Sequence, residues 1–236
     1  MSAASAGLLE VKEEVFWAEY ARVYETVLTR FSAYRDLVER IVTSQPPPRR
    51  VLDVGCGPGI VSRALVANGC RVVGVDYNPE MVRLSGARSG DYRRMDAAAL
   101  DFEDGSFEGV VSNNVLYFVP DPVAALAEMH RVLAPGGLLT LSAPRAGFDM
   151  RVLDRQLARD VDGCADYPLR EAHAEFLAFN RQLDTGGMRN LFEPDALVRL
   201  LLDRIGFARV VRHELAYLEQ SYFLVLAKSE NPSCRS

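Results

Sequence analysis

Glycines and carboxylates at the ends of two apolar runs are the residues of this chain with the clearest chemistry. The first run, VLDV, breaks into a G-x-G-x-G turn formed by Gly55, Gly57 and Gly59, and the second, VVGV, ends at Asp76. Glycines allow a tight turn and close approach of a ligand, and the helix that follows such a turn offers free N–H groups to an anion. Asp76 lies about 20 residues beyond Asp53, the spacing at which a carboxylate meets ribose hydroxyls. The pattern predicts a site for an adenosine-containing cofactor in an α/β sheet.

The residue at position 60 indicates which class of cofactor such a turn binds. A dinucleotide site follows G-x-G-x-x-G, but the chain has Ile60 where the last glycine would fall. The turn instead resembles the first motif of the class I S-adenosylmethionine-dependent methyltransferases. Further segments resemble other motifs of that family, in the same order: VVGVDYNPEM (72–81), MDA (95–97), VSNNVLYFVPDP (111–122) and HRVLAPGG (130–137). The ordered set, over roughly residues 50 to 144, is far more specific than a lone glycine turn.

This resemblance implies S-adenosylmethionine as the cofactor and assigns it a set of contacts. Asp76 is expected on the ribose, Asp96 and Ala97 at the adenine, and Asn113 beside the sulfonium. The full set of implied cofactor contacts is Tyr20, Tyr24, Asp53, Gly55, Cys56, Gly57, Gly59, Asp76, Tyr77, Met81, Asp96, Ala97 and Asn113.

Several of these residues also have a purely structural interpretation. Asp76 would then cap a helix over 77–86, Asp53 would be a buried carboxylate that stabilises the turn, and Cys56 would only fill a small space there. Tyr20 and Tyr24 resemble residues of the family's N-terminal lid, but they share a helix face and also suit a core or an oligomer contact. If these residues form an oligomer contact, we expect the assembly to be a homodimer.

Acid–base residues are few. Of three histidines, His173 is the best candidate for a general base, with a solvated helix position as the alternative. Family members often carry histidines where this chain has Tyr117 and Phe118, so those two positions predict an aromatic substrate wall instead. No metal site is expected, because the histidines and the four cysteines lack ligand spacing.

Hydrophobic periodicity predicts an α/β fold. Together with the terminal hairpin that the family resemblance implies, we expect a seven-stranded, mostly parallel, doubly wound sheet with an antiparallel C-terminal hairpin, N-terminal helices and an inserted helical cap. The predicted organisation is an N-terminal helical lid, a cofactor-binding Rossmann-like core, a helical cap insertion, and a C-terminal helix and hairpin that complete the core: residues 1–45, 46–145, 146–192 and 193–236.

Composition narrows the partners. With a net charge of −5 and a pI near 5.3, the 236-residue chain has no overall basic field, which disfavours a nucleic-acid substrate. Neither a signal peptide nor a membrane span is evident, and unpaired cysteines favour a cytoplasmic, reducing compartment.

The expected function is methyl transfer to a small-molecule metabolite, with secondary metabolism as one setting. The alternatives are a non-methylating reaction in the same pocket, such as decarboxylation or cyclisation, and a non-catalytic partner subunit. The sequence identifies neither the substrate nor whether the methyl group goes to oxygen, nitrogen or carbon.

Overall fold

The computed structural model describes residues 16–17, 19–47, 49–86, 90–161, 167–184 and 190–230. Two helices precede the sheet: α1 includes residues 19–28, and α2 spans Ser32–Ser44. Apolar side chains at helical spacing bury one face of each, through residues such as Val27, Leu28, Leu37 and Ile41. The two predicted N-terminal helices are therefore present.

Seven strands form one sheet in the order β3-β2-β1-β4-β5-β7-β6. The first five pair in parallel, and β7 pairs antiparallel with both β5 and β6. The strands are β1 Arg50–Val54, β2 Arg71–Asp76, β3 Asp91–Arg94, β4 Phe107–Asn113, β5 Leu133–Pro144, β6 Arg209–Ala216 and β7 Ser221–Ala227. The predicted fold class is confirmed.

Helices alternate with the parallel strands. They are α3 Ile60–Ala67, α4 Pro79–Gly86 and α5 Pro122–Val132. Strand β5 begins directly after α5, whereas the Pro-Gly-Gly sequence suggests a turn first. Residues 133–137 pair only irregularly, because the register shifts between Phe107 opposite Leu133 and Gly109 opposite Leu138.

The strand order reverses between β1 and β4. In open α/β sheets, ligands bind outside the carboxyl ends of the strands at this switch point. The glycine turn follows β1, and Asn113 ends β4, so the sheet brings the two predicted segments to one crevice.

Two helices of the predicted cap, α6 Met150–Val161 and α7 Tyr167–Asp184, lie between β5 and the C-terminal elements. Leu153, Leu157 and Phe176 join a buried cluster that also contains residues of α1 and α2. Ser32 donates hydrogen bonds from its backbone N and its Oγ to Asp160 Oδ2, each 2.7 Å long. The cap and the N-terminal helices therefore pack as one roof.

The C-terminal segment contains two departures from regular structure. The predicted C-terminal helix is present, but α8 (Pro194–Arg199) continues as a π-helix over Leu200–Ile205 and stops at the left-handed Gly206. In the hairpin between β6 and β7, Tyr217, Leu218 and Glu219 have φ values of 53°, 60° and 62°. Three successive non-glycine residues in this region are strained, and such strain often lies near a functional site.

Candidate functional site

A cavity of about 680 Å³ lies at the switch point. Its floor is the carboxyl end of β1, β2 and β4, and α1, α6 and α7 contribute to its walls. Twelve of the thirteen predicted cofactor residues line it, all except Gly59. The volume falls within the range of about 300 to 1,000 Å³ that small-molecule sites occupy.

The three glycines of the turn share a left-handed backbone but differ in the space around them. All have positive φ: 73° at Gly55, 52° at Gly57 and 85° at Gly59. A Cβ at Gly55 would overlap the side chain of Val115, whereas a Cβ at Gly57 would meet no atom within 4 Å. Gly59 precedes the first residue of α3 and does not reach the cavity. A Cβ at Gly59 would meet Tyr92, Arg63 and Ser85 instead. The predicted cofactor contact of Gly59 therefore lacks support.

Alanine substitutions should separate these roles. We expect Gly55→Ala to lower the free energy of unfolding by about 2 to 4 kcal/mol, from the left-handed backbone and the overlap together. Gly57→Ala should lower the free energy of unfolding by about half as much. It should nevertheless weaken cofactor binding more than Gly55→Ala does for the same loss of stability, because the new methyl group would extend into the cavity. Chemical denaturation and calorimetry would measure both effects. The assignment would be wrong if Gly57→Ala bound the cofactor normally.

Asp76 connects the two strand ends through its carboxylate. Gly57 N donates to Asp76 Oδ2 and Asn78 N donates to Asp76 Oδ1, both at 2.9 Å. The start of α4 is capped by Asn78 instead, whose Oδ1 accepts from Glu80 N at 2.8 Å and Met81 N at 3.3 Å. The helix-capping interpretation of Asp76 therefore applies to Asn78. Burial raises the pKa of Asp76, and the two backbone N–H groups oppose that shift.

Asp53 lies beneath the turn and is almost completely buried, with 1% of its surface exposed. Its Oδ2 accepts a 2.6 Å hydrogen bond from the Ser62 hydroxyl of α3. Burial raises the pKa of Asp53 from 3.8 to about 7, and the nearby charge of Asp76 adds to the increase. Asp53 thus links β1 to α3 across the glycine turn and also lines the cavity, so both interpretations of this residue stay open.

The adenine end of the predicted site is more open. Tyr77 lines the cavity with 52% of its surface exposed, and the guanidinium of Arg94 lies 5.5 Å from the centre of its ring. Arg94 Nε also donates to the Tyr77 backbone oxygen at 3.0 Å. Asp96 and Ala97 lie on the same cavity wall. An adenine ring suits this place, between an aromatic side chain and a loop carboxylate that can accept its amino group.

The end of β4 supplies two amide groups. The Oδ1 atoms of Asn113 and Asn114 are buried and have no hydrogen-bond partner within the described part of the chain. Asn114 has a φ of 60°, held by its N–H donating to Ser142 O at 2.7 Å. Buried polar atoms of this kind normally have partners, so both point to a ligand that brings hydrogen-bond donors, such as an ammonium group. Asn114, which directly follows the predicted residue Asn113, also lines the cavity.

Aromatic rings form most of the wall on the side of the roof. We call this part the aromatic chamber; its rings belong to Phe16, Trp17, Tyr20, Tyr24, Phe31, Tyr34, Tyr117, Phe118, Phe148, Phe176 and Tyr217. Trp17 meets Phe118 edge to face at 4.7 Å, and the Tyr20 ring stacks on Phe176 at 5.7 Å. The predicted aromatic wall at Tyr117 and Phe118 is therefore in place.

Polar contacts hold the roof over the chamber. The hydroxyl of Tyr20 donates to Asn180 Oδ1 of α7 at 3.1 Å, and Tyr24 donates to the Tyr34 hydroxyl at 3.4 Å. Arg63 of α3 bridges to Glu25 of α1 at 2.7 Å. Tyr20 and Tyr24 therefore lie both in the core and on the cavity wall, and the two interpretations of these residues are compatible.

The chamber keeps its own phenols neutral. Burial raises the pKa of each tyrosine that lines it: Tyr20, Tyr24, Tyr34, Tyr117 and Tyr217. The cause is desolvation, which disfavours the phenolate. These hydroxyls are therefore hydrogen-bonding groups and not bases at neutral pH.

His173 does not join the site. It lies on α7 and is half-buried, but it is absent from the cavity wall that the described residues form. Burial lowers its pKa, and its Nε2 has no hydrogen-bond partner among the described residues. The geometry gives no support to a general base at this position, so that role stays a prediction.

Several cavity residues carry no sequence signal. Phe148, Met150, Asp154, Phe176 and Asn180 come from the cap and the loop before it. Tyr217 reaches the chamber from the strained hairpin turn, where non-glycine residues with positive φ could not be foreseen. Their contacts are non-local, and only the packing of the roof brings them to the strand ends.

Neither a metal cluster nor a membrane-spanning helix is found in the part of the chain that the structure describes. The described residues include no cluster of three or more histidine, cysteine, aspartate or glutamate side chains suited to a metal ion. Within the same residues, every helix is too short or too polar to cross a bilayer.

Comparison with known proteins identifies the family. Residues 52–141 match a methyltransferase domain family. The chain is 36% identical over 163 residues to the ubiquinone biosynthesis O-methyltransferase of Xanthomonas oryzae pv. oryzae (strain PXO99A). The matched segment covers 61% of this chain and 67% of that protein. The chain belongs to the S-adenosylmethionine-dependent methyltransferases.

One further relative and one solved structure are similar to this chain. A methyltransferase of Mycobacterium sp. (strain JLS) is 40% identical over 122 residues, which is 49% of this chain and 48% of that protein. The chain thus spans about half the length of that relative. The solved structure of an S-adenosylmethionine-dependent methyltransferase of Mesorhizobium loti has a TM-score of 0.59 at 20% identity, over 83% of this chain and 98% of that one. At that identity, the likeness concerns the fold.

The residues present fit the cofactor of the family. The space above Gly57 admits a ligand where a side chain would project, and the orphaned amide oxygen of Asn113 lies on the same wall. Asp76 and Asp96 add acceptors at the strand ends. A cation with ribose hydroxyls and an amino-purine matches this donor and acceptor set.

Proposed function

We propose that this chain transfers a methyl group from S-adenosylmethionine to a small-molecule acceptor. The observation that carries the proposal is the continuity of one cavity from the glycine turn to the aromatic chamber. A cofactor at the strand ends would direct its far end toward the space beneath the roof. An enzyme that binds its methyl donor and acceptor in one enclosed space can align them by position alone.

The residues divide the work as follows. Asp76 accepts from the ribose hydroxyls, Asp96 accepts from the adenine amino group, and Asn113 accepts from the ammonium group. When bound, the cofactor supplies a methyl group that its positive sulfur already activates. The rings of Trp17 and Phe118 keep water from the acceptor, which protects the reacting groups from solvent.

Two measurements test the proposal. Thermal unfolding should shift upward with S-adenosylmethionine and with S-adenosylhomocysteine, but not with NAD, because Ile60 replaces the glycine of a dinucleotide turn. Incubation with a trideuteromethyl cofactor and a pool of cell metabolites should then give products that mass spectrometry recognises by their isotope label. Absence of a thermal shift with either sulfur ligand would contradict the proposal.

The same experiment separates the alternatives. A product that forms without label while the cofactor stays intact would indicate a non-methylating reaction. Cofactor binding with no product from any metabolite pool would favour a non-catalytic subunit. The identity of the Xanthomonas relative, named for O-methyl transfer in ubiquinone biosynthesis, makes hydroxyl acceptors the first to include in the pool.

We also infer a cytoplasmic enzyme of small-molecule metabolism, with secondary metabolism as one setting. Support comes from the acidic composition and the scattered cysteines. Neither membranes nor nucleic acids are proposed as partners.

A further inference from the structure

We infer that the acceptor presents an oxygen atom to the hydroxyl groups of Tyr117 and Tyr217, and that the hairpin turn between β6 and β7 holds Tyr217 in place for this contact. The inference rests on the proposed function, since it names substrate-binding residues of the same cavity. It follows from the hydrogen bonds of the chamber tyrosines and from the contacts that fix the turn.

The tyrosines of the aromatic chamber differ in whether their hydroxyls already have partners. The hydroxyls of Tyr20 and Tyr24 donate to other side chains of the roof, at 3.1 Å and 3.4 Å, and that of Tyr34 accepts one of these bonds. Within the described part of the chain, the hydroxyls of Tyr117 and Tyr217 have no hydrogen-bond partner, although both residues line the cavity. These two hydroxyls are therefore available to a ligand.

Both available hydroxyls act as donors. Burial raises the pKa of the Tyr117 and Tyr217 phenols, so each keeps its proton at neutral pH. The Tyr117 phenol also contributes to the raised pKa of Tyr217, which places the two groups near each other. A hydroxyl that leaves water without gaining an acceptor loses a hydrogen bond, and this loss is costly. A carbonyl or hydroxyl oxygen carries two lone pairs and can accept from both tyrosines.

The backbone at Tyr217 is unfavourable in itself. Tyr217, Leu218 and Glu219 have left-handed φ values of 53°, 60° and 62°, a region that residues with a Cβ rarely adopt. The turn nevertheless directs the Tyr217 ring inward, where 8% of the residue's surface is exposed and the ring packs on Phe31 at 5.4 Å and Tyr34 at 6.2 Å. Strained residues persist where their surroundings fix them, and they concentrate at ligand sites.

Hydrogen bonds from the segment between β5 and the cap fix this turn. The buried Gln220 accepts from Asp149 N through Oε1 at 2.7 Å and donates through Nε2 to Leu218 O at 3.3 Å. Arg145 Nε donates to Glu219 O at 2.8 Å. The turn is thus tied to the start of the cap, and the tyrosine ring that it carries is held relative to the cap. Gln220 therefore acts as a positioning residue for that ring.

Matched ligands test the inference on the intact protein saturated with S-adenosylhomocysteine. Acetophenone and α-methylstyrene differ only in the oxygen that a methylene group replaces, and cyclohexanone and methylenecyclohexane form a second pair. An alkene leaves water more readily than a ketone does, so each ligand is compared between protein variants by NMR titration. Tyr117→Phe and Tyr217→Phe should each weaken ketone binding about fivefold, the effect of one neutral hydrogen bond, and leave alkene binding unchanged.

Tyr222→Phe is the matched control. It removes a buried hydroxyl that also lacks a partner among the described residues, but Tyr222 does not belong to the cavity wall that those residues form. Ketone affinity should stay unchanged in this variant. Equal losses for ketones and alkenes in Tyr217→Phe, or no loss for either, would overturn the inference, as would the absence of ketone binding to the unmodified protein.

A double-mutant cycle tests the role of the turn. Gln220→Ala should weaken ketone binding a few-fold by itself and cause no further loss in combination with Tyr217→Phe. A purely structural role would give the same loss in both backgrounds, and that result would contradict the positioning of Tyr217 by Gln220. Arg145→Ala removes the bond to Glu219 O and should give the same pattern, so it replaces Gln220→Ala if that variant does not fold.

The outcome for the cofactor is read separately. If S-adenosylhomocysteine fails to bind the unmodified protein, the proposed function is wrong. If it binds and the tyrosine variants leave ketone affinity unchanged, the proposed function stands and only the inference about the acceptor fails.

Discussion

Asp76→Ala is expected to weaken S-adenosylmethionine binding by about 100-fold or more. Hydrogen bonds to a charged group contribute about 1.5 to 3 kcal/mol each, and the substitution removes two from the ribose. It also removes the acceptor that Gly57 N uses at 2.9 Å, so the turn that cradles the cofactor loses a fixed point. Isothermal calorimetry at neutral pH measures the loss directly.

Controls separate cofactor contact from general damage near Asp76. Asn78→Ala removes the side-chain cap of α4 and keeps the backbone N–H that donates to Asp76, so it should lower thermal stability and, although Asn78 also lines the cavity, reduce affinity much less than Asp76→Ala does. Asp91→Ala removes an exposed carboxylate from β3, where its partner is Arg93, and should change neither. If Asp76→Ala bound the cofactor nearly as well as the unmodified chain, the ribose assignment would be wrong.

The sequence was sufficient for the strand ends because the signals there are local. The glycine turn needs positive φ at Gly55 and Gly57, and an apolar run followed by a carboxylate marks β2 and Asp76. Such requirements act within a few residues, so they are visible without any knowledge of tertiary packing.

The chamber shows where this kind of inference ends. Asn180 approaches Tyr20 from 160 positions away, and no periodicity relates the two residues. Tyr217 enters through three left-handed residues without glycine, against ordinary turn preferences. His173 is the opposite case, since its chemical type makes it a candidate, whereas the packing of α7 places it off the cavity wall that the described residues form. Residue type suggests candidates, and only packing decides which of them share a cavity.

The second large effect expected is a loss of stability of the cofactor-free protein between about pH 4 and about pH 7. Burial raises the pKa of Asp53 from 3.8 to about 7, so the folded protein holds a proton that the unfolded chain releases. The stabilisation is complete below about pH 4 and is lost as the pH rises through about 7. It amounts to about 4 kcal/mol, since the pKa rises by about three units and one unit corresponds to about 1.4 kcal/mol.

Urea unfolding across this pH range, with Asp53→Asn as the decisive variant, would measure the effect. Asn cannot ionise, so Asp53→Asn should flatten this part of the profile, whereas the exposed Asp203→Asn should keep it. Ser62→Ala removes a hydroxyl that donates to the carboxylate at 2.6 Å, so the loss of stability should extend to higher pH.

A bound sulfonium and ammonium favour the ionised carboxylate, and S-adenosylmethionine should therefore bind more tightly as the pH rises through 7. An unchanged profile in Asp53→Asn would mean that another group carries the pH dependence, and Asp76, whose pKa burial also raises, would be tested next.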